Sequence, residues 1–178
     1  ALARTAERLS LATRAGGVGV WEHDLVNNQL IWDDQMYRLY GITRDQSSDA
    51  HASWRAGVQP EDLAREDAEI QMAIRGEKEF DTEFRVFWPD GTVHNIRALA
   101  VVQRDDSGKP LRMIGTNWDI TVLRTQTEEL ANTIQELQLF NQFSINRELF
   151  MIELKQQIND LRFRLGDPPA YDLQGLES

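Results

Sequence analysis

Gly115-Thr-Asn-Trp-Asp119-Ile120-Thr121 is the stretch on which the reading of this chain turns. Residues 111–119 alternate as a strand does, with successive side chains on opposite faces. After the short triplet Asp119-Ile120-Thr121 the period changes, and a helical pattern of roughly forty residues begins. A strand that runs straight into a long helix predicts a domain joined covalently to an output element, with the triplet as the joint.

Upstream of the joint the period is two. Phe80, Thr82, Phe84, Val86 and Trp88 share one face, and Asp81, Glu83 and Arg85 the other. Pro89-Asp90-Gly91 marks a turn, residues 93–102 a second strand, Asp105-Asp106-Ser107-Gly108 a second turn, and residues 111–119 a third strand. Nearer the N-terminus, residues 18–24 and 29–32 read as short strands around Asn27-Asn28, a pair that tolerates the left-handed conformations of a tight hairpin. Between the two groups, Asp33 or Asp34 caps a helix over 35–40 that Gly41 ends. Residues 43–59 read as polar and irregular apart from Trp54, and Pro60-Glu61-Asp62 opens a helix that runs to about Arg75 and stops at Gly76. Two strands, short helices, then three strands predict an α+β fold: a five-stranded antiparallel sheet with helices on one face. Leu2, Ala6, Leu9, Ala12 and Thr13 have helical spacing, so residues 1–16 are a flanking helix that Gly16-Gly17 stops.

That order, with Gly19-Val-Trp21-Glu22-His-Asp24, Trp32-Asp33, Tyr40-Gly41, Pro60-Glu61-Asp62, Phe84-Arg85, Asp90-Gly91-Thr92 and Asp119-Ile120-Thr121, resembles the PAS family over residues 17–121, specifically its PAS_3-like subgroup. The resemblance implies a PAS sensor domain over 17–121 and a signalling helix over 122–166, followed by a tail over 167–178. His94-Asn95-Ile96 stands where the family often has Arg-Trp-Ile or Arg-Trp-Val, and Val122 where Glu is common. Heme-binding members place their iron ligand on the helix that here spans 62–75, which holds no histidine, so the resemblance disfavours heme.

Beyond Thr121, Leu123, Leu130, Leu137, Ser144, Met151, Ile158 and Leu165 recur every seven residues, the period of a coiled-coil seam. The companion position falls first at Thr127, Ile134 and Asn141, and later at Phe140, Leu154 and Leu161. A phase shift or a break into two helices is therefore expected near 141–148. The expected dimer seam is Leu123, Leu130, Ile134, Leu137, Met151, Leu154, Ile158, Leu161 and Leu165. A helix over 122–165 would extend about 66 Å, more than a small domain can cover, so a parallel homodimer is expected. The alternative is an amphipathic helix folded back on its own sheet. Gly166 and Pro168-Pro169 end the helix, and the segment from Arg147 to Leu161 that precedes them is similar to linkers that follow PAS domains in bacterial sensor proteins.

Charge and composition exclude several classes. Lys plus Arg number 19 against 29 Asp plus Glu, a net charge of −10 that repels nucleic acid and anionic lipid. Without cysteine there is no disulfide, thiolate metal site, cysteine nucleophile or cysteinyl-flavin chemistry, and a reducing, cytoplasmic setting fits. No apolar run approaches the roughly 18 to 20 residues of a membrane span. His23, His51 and His94 are far apart in sequence and form no metal-ligand pattern. Gly16-Gly17-Val-Gly19 precedes a strand rather than a helix and reads as a linker, while Glu61-Asp62 and Asp105-Asp106 serve helix charge and turn. No catalytic constellation is present, so the chain is read as a regulatory module and not an enzyme.

Trp32, Met36, Trp54, Phe84, Val86, Ile96, Ala98 and Ile114 are candidates to line a cavity between sheet and helices for an unidentified small ligand, with Arg97 or Tyr37 as polar contact. Asp119, Ile120 and Thr121 are the candidate relay: Thr121 caps the exit helix, and Asp119 pairs with Arg85 or Arg97. The expectation is a sensory and dimerisation module whose covalently linked output domain is a histidine kinase. A diguanylate cyclase parent and a ligand-free scaffold are the alternatives.

Overall fold

The computed structural model describes residues 2–173. Helix α1 (Leu2–Ala15) gives way at Gly16-Gly17 to the hairpin of β1 (Gly19–Asp24) and β2 (Gln29–Trp32). Asn28 takes φ 53 in its turn, where the Asp24 carboxylate accepts the N–H groups of Val26 and Asn27 at 2.9 Å. The Asp33 carboxylate then accepts the Met36 N–H and caps α2 (Asp34–Leu39). The stretch 43–59 is not irregular: a short 3-10 turn, Arg44–Gln46, precedes α3 (Ala50–Gly57), which Asp49 caps through the Ala52 N–H. Pro60 stands at the first turn of α4 (Pro60–Arg75), and Gly76 at φ 79 ends it.

The remaining strands are β3 (Phe80–Phe87), β4 (Val93–Arg104) and β5 (Pro110–Asp119). All five strands form one antiparallel sheet in the order β2-β1-β5-β4-β3. Along β3, Phe80, Thr82, Phe84 and Val86 are buried and the residues between them are not, as the alternation requires. The β3 edge is covered in part where Gln59 N–H donates to Arg85 O at 2.9 Å and Val58 bridges Val86.

Helices α2 to α4 lie on the sheet face that carries Phe84, Val86, Ile96, Ala98 and Met113, and the core forms there with Trp32, Met36 and Tyr40. Gly115 on β5 admits the Trp21 ring of β1; a Cβ would overlap that ring and lie 2.8 Å from Leu99 O. The close approach orients β5, with Met113, Gly115 and Asn117 inward and Ile114, Thr116 and Trp118 on the other face.

The chain divides into two compact units, Ala1–Arg124 and Thr125–Ser178. Helix α5 (Thr121–Leu165) supplies most of the second and runs through 141–148 without the expected break. Its seam side chains are mostly exposed, Leu137 at 57 % among them, and Ile158 is partly buried. Phe140, Phe143, Ile145, Leu149 and Phe150 are exposed too, so a wide apolar surface replaces a single heptad stripe in that region. At the helix end, Gly166 N–H donates to Phe163 O and Asp167 N–H to Arg162 O, with Gly166 at φ 82. The Asn159 amide then holds the tail, accepting the N–H groups of Ala170 and Tyr171 and donating to Tyr171 O.

Adding even a methyl group at Gly115 forces the Trp21 ring from its place. Gly115→Ala is expected to lower unfolding free energy by about 2–3 kcal/mol, as overpacking does. Urea titration followed by tryptophan fluorescence measures it, and an unchanged midpoint would contradict the packing.

Candidate functional site

The joint between sheet and helix is held by one carboxylate. Asp119 Oδ1 accepts the Thr121 N–H at 2.8 Å, while Oδ2 accepts from His94 Nδ1 at 2.6 Å. The register that pairs Ile96 with Asp119 sets His94 diagonally across on the same face and Arg97 on the other. Ile120, buried, donates its N–H to Asn95 O at 2.8 Å, and Thr121 Oγ1 accepts the Asn95 N–H at 2.8 Å. Arg124, one turn on, reaches Asn95 Oδ1 at 3.3 Å and Glu83 at 3.6 Å. Three consecutive residues thus tie the first turn of α5 to β4. Burial alone would raise the Asp119 carboxyl, but hydrogen bonds from Thr121 and His94 outweigh it and hold the group below the usual carboxylate range.

The network extends away from the helix. Thr92 donates its hydroxyl proton to Asp90 at 2.6 Å, which leaves its oxygen as an acceptor 3.2 Å from His94 Nε2. Both ring nitrogens of His94 therefore have oxygen partners. Trp88 stacks on the ring at 3.8 Å between centroids and anchors itself by donating to Leu39 O.

The second feature is a cavity of about 380 Å³ between the inner sheet face and α2 to α4. Trp21, Trp32, Trp54, Phe80 and Phe84 form its aromatic walls. Its polar residues include Glu66, 1 % exposed, Asn117, 3 % exposed, and Tyr40, whose buried hydroxyl has no partner among the described residues. Glu66 Oε1 accepts from Thr82 Oγ1 at 2.8 Å and pairs with Arg65 at 2.9 Å. Burial pushes the Glu66 carboxyl from 4.5 to about 7, against the pull of Thr82 and Arg65. The Tyr40 hydroxyl is raised by burial and then by Glu66. At the rim His23 and His51, remote in sequence, meet edge to face at 4.9 Å, and burial, then His23, lowers His51.

Of the expected lining, Trp32, Met36, Trp54, Phe84 and Ala98 lie on the cavity wall. Val86 and Ile96 are fully buried in the core but do not line the cavity, and Ile114 sits on the opposite sheet face. Arg97 is also on that face, paired with Asp81 at 2.9 and 3.0 Å, and Tyr37 packs edge-on against Trp32 outside the lining. Neither expected arginine meets Asp119: Arg85 binds Asp62 through Nε and Nη2, each at 3.0 Å, and the partner is His94. Thr121 turns its hydroxyl to β4. The sequence reading missed Trp21, Tyr40, Glu66 and Asn117; Glu66 was visible as a carboxylate within the apolar stripe Leu63, Ile70 and Ala73. Among the described residues no cluster of three or more His, Asp or Glu is placed to hold a metal ion, and no helix is long and apolar enough to cross a membrane.

A family model described as PAS fold matches residues 29–117, half of the chain. The chain belongs to the PAS fold family. Two curated relatives are similar to this chain: the "Probable diguanylate cyclase DgcE" of Escherichia coli (strain K12), 34% identical over 133 residues, and the "Sensor protein FixL" of Bradyrhizobium diazoefficiens, 32% identical over 128. These alignments cover 75% and 68% of this chain but only 12% and 25% of the relatives' lengths. The PAS fold agrees with a solved sensory box histidine kinase/response regulator from Burkholderia thailandensis E264, at TM-score 0.60 and 21% identity, over 74% of this chain and 98% of that one.

Two measurements address this PAS site. In the window between pH 4.5 and about 7 the folded chain keeps a Glu66 proton that the unfolded chain has lost, so stability falls as pH rises there, by up to about 3 kcal/mol. Glu66→Gln is expected to abolish that part of the decline in urea unfolding at pH 4.5 and 7.5; an unchanged slope would contradict the raised value. At the joint, His94→Phe keeps an aromatic ring but leaves Asp119 Oδ2 without its donor, whereas His94→Arg keeps donors there. Losing a charge-assisted hydrogen bond of about 1.5–3 kcal/mol should speed exchange of the Thr121 amide on the order of tenfold or more in the Phe variant, with the Arg variant close to wild type. Equal exchange in both would exclude the network as the tie.

Proposed function

We propose that the chain is the sensory and dimerisation module of a bacterial signal-transduction protein, in which the state of the PAS cavity is passed through Asp119-Ile120-Thr121 into α5. The observation that carries this reading is the joint: the strand ending at Asp119 lies centrally in the sheet and continues into α5 with one residue between, while β4 clamps the first helical turn. A shift of β4 or β5 must then move that turn. The exposed apolar side chains of α5 support a parallel homodimer, since burying each leucine is worth about 1.5–3 kcal/mol. In this reading Leu123, Leu130, Ile134 and Leu137 pair near the joint and Met151, Leu154, Ile158, Leu161 and Leu165 farther along. The apolar surface between them offers two pairings of similar energy.

The module is regulatory and assigned no reaction. Its parent is a sensor histidine kinase, as the FixL relative supports; the higher identity to the Escherichia coli relative favours a diguanylate cyclase as the second reading. In this reading the module works in the cytoplasm beside its output domain. Native mass spectrometry is expected to show a dimer, and Leu137→Glu to shift it to monomer. In the full-length parent, Thr121→Val and Asp119→Asn are expected to change output several-fold with the dimer intact. Unchanged output would leave only a dimerisation scaffold, and a monomeric wild type would contradict the seam.

A further inference from the structure

The PAS cavity is aromatic on its walls and carries polar groups with unused hydrogen-bonding capacity. Asn117 accepts from Trp21 Nε1 at 2.7 Å, which fixes its oxygen and leaves its NH2 group unpaired among the described residues. The Tyr40 hydroxyl is likewise unpaired. The contacts of Glu66 with Thr82 and Arg65 both fall on Oε1, and Oε2 takes part in neither. These three residues come from β5, the C-cap of α2 and α4, and line the same cavity. A buried hydroxyl left unpaired carries an uncompensated desolvation cost, which a molecule that completes it removes on entering.

The charged groups around the cavity have partners. Arg65 faces Glu66, Arg55 lies 3.3 Å from Asp67, and Asp62 is held by Arg85 and Arg65. Glu69 on the same helix is paired with Lys78, and the rim histidines are His23 and His51. Among the residues that line the cavity, once Glu66 carries a proton, the acidic and basic side chains are Asp67 and Arg55, which pair with each other and leave no charge for an ionic ligand to answer. The Asn117 amide offers only donors, the Tyr40 hydroxyl is able to donate, and Glu66 donates when it carries a proton.

We infer that the cavity takes a flat, uncharged aromatic ligand with hydrogen-bond acceptors along one edge, received by Asn117, Tyr40 and protonated Glu66, so that binding takes up a proton. The inference rests on the sensory reading above and names the ligand chemistry and its coupling. Because burial already brings the Glu66 carboxyl to about 7, the uptake falls near neutral pH. Occupancy would then respond both to the ligand and to the surrounding pH.

The test is isothermal titration of the full chain with two probes of one skeleton: N-methylphthalimide, uncharged with two carbonyl acceptors, and N-methylisoindoline, a cation without them. The imide is expected to bind at least about tenfold more tightly at pH 6, with affinity falling towards tenfold per pH unit above about 7. Titrations at pH 8 in buffers of different ionisation enthalpy should count close to one proton taken up. Glu66→Gln, which keeps a donor and cannot ionise, is expected to flatten the pH slope; the proton count on the wild type stands whether or not that variant folds. Tighter binding of the amine, proton release, or no binding of either probe at millimolar concentration would overturn the inference. The relay reading fails separately, only if the Thr121 and Asp119 variants leave the parent's output unchanged.

Discussion

The Asp119 carboxylate serves two elements at once, accepting from the His94 ring on β4 through one oxygen and from the first N–H of α5 through the other. A carboxylate with both oxygens committed has little freedom to follow one partner without pulling on the other. The bonds that Ile120 and Thr121 make to Asn95 close the arrangement, so the strand end, β4 and the first helical turn form one rigid corner. In the proposed relay, this corner carries what the sheet does into the helix.

The sheet can respond because its inner face is not completely filled by its own side chains. Close packing makes a core resist continuous deformation, yet here Trp21 rests against Gly115 on β5, two residues from Asn117, whose amide it holds. Trp21 and Asn117 both line the cavity, and Asn117 lies two residues before Asp119 on the same strand. A molecule that changes the Asn117 amide therefore acts on β5 a few ångströms from the joint. Glu66 adds a titratable contact to the opposite wall, since Thr82 carries its hydrogen bond into β3.

The sequence made the strand order legible because β3 alternates strictly and the turns at Asp90-Gly91 and Asp105 to Gly108 use residues whose side chains or backbone freedom turns require. Helix α3 escaped notice because Trp54 is the one large apolar residue of Ala50–Gly57 and the helix starts within a polar run, so its Asp49 cap looked like more loop. The inward face of β5 was misread at Ile114 because Met113 and Ile114 are both apolar; the deciding contact, Gly115 against Trp21, joins residues far apart in the chain. The partner of Asp119 was misassigned for a related reason. Arginine is the obvious mate for a carboxylate, but the register places Arg97 on the far face and the α4 start claims Arg85, which leaves His94. Glu66 shows the opposite case, a residue whose placement in an apolar stripe was visible and whose meaning required the cavity.

The central claim is that the corner at Asp119 sets how two copies of α5 pair. The chain contains no cysteine, so a spin label on Gln142→Cys would be its only label site. Distance distributions between the two labels in the dimer, compared with those of the same protein carrying Asp119→Asn, test the claim most directly. The account predicts an intermolecular distance in both proteins, with the population shifted by the substitution. Superimposable distributions would show that the corner does not govern the pairing.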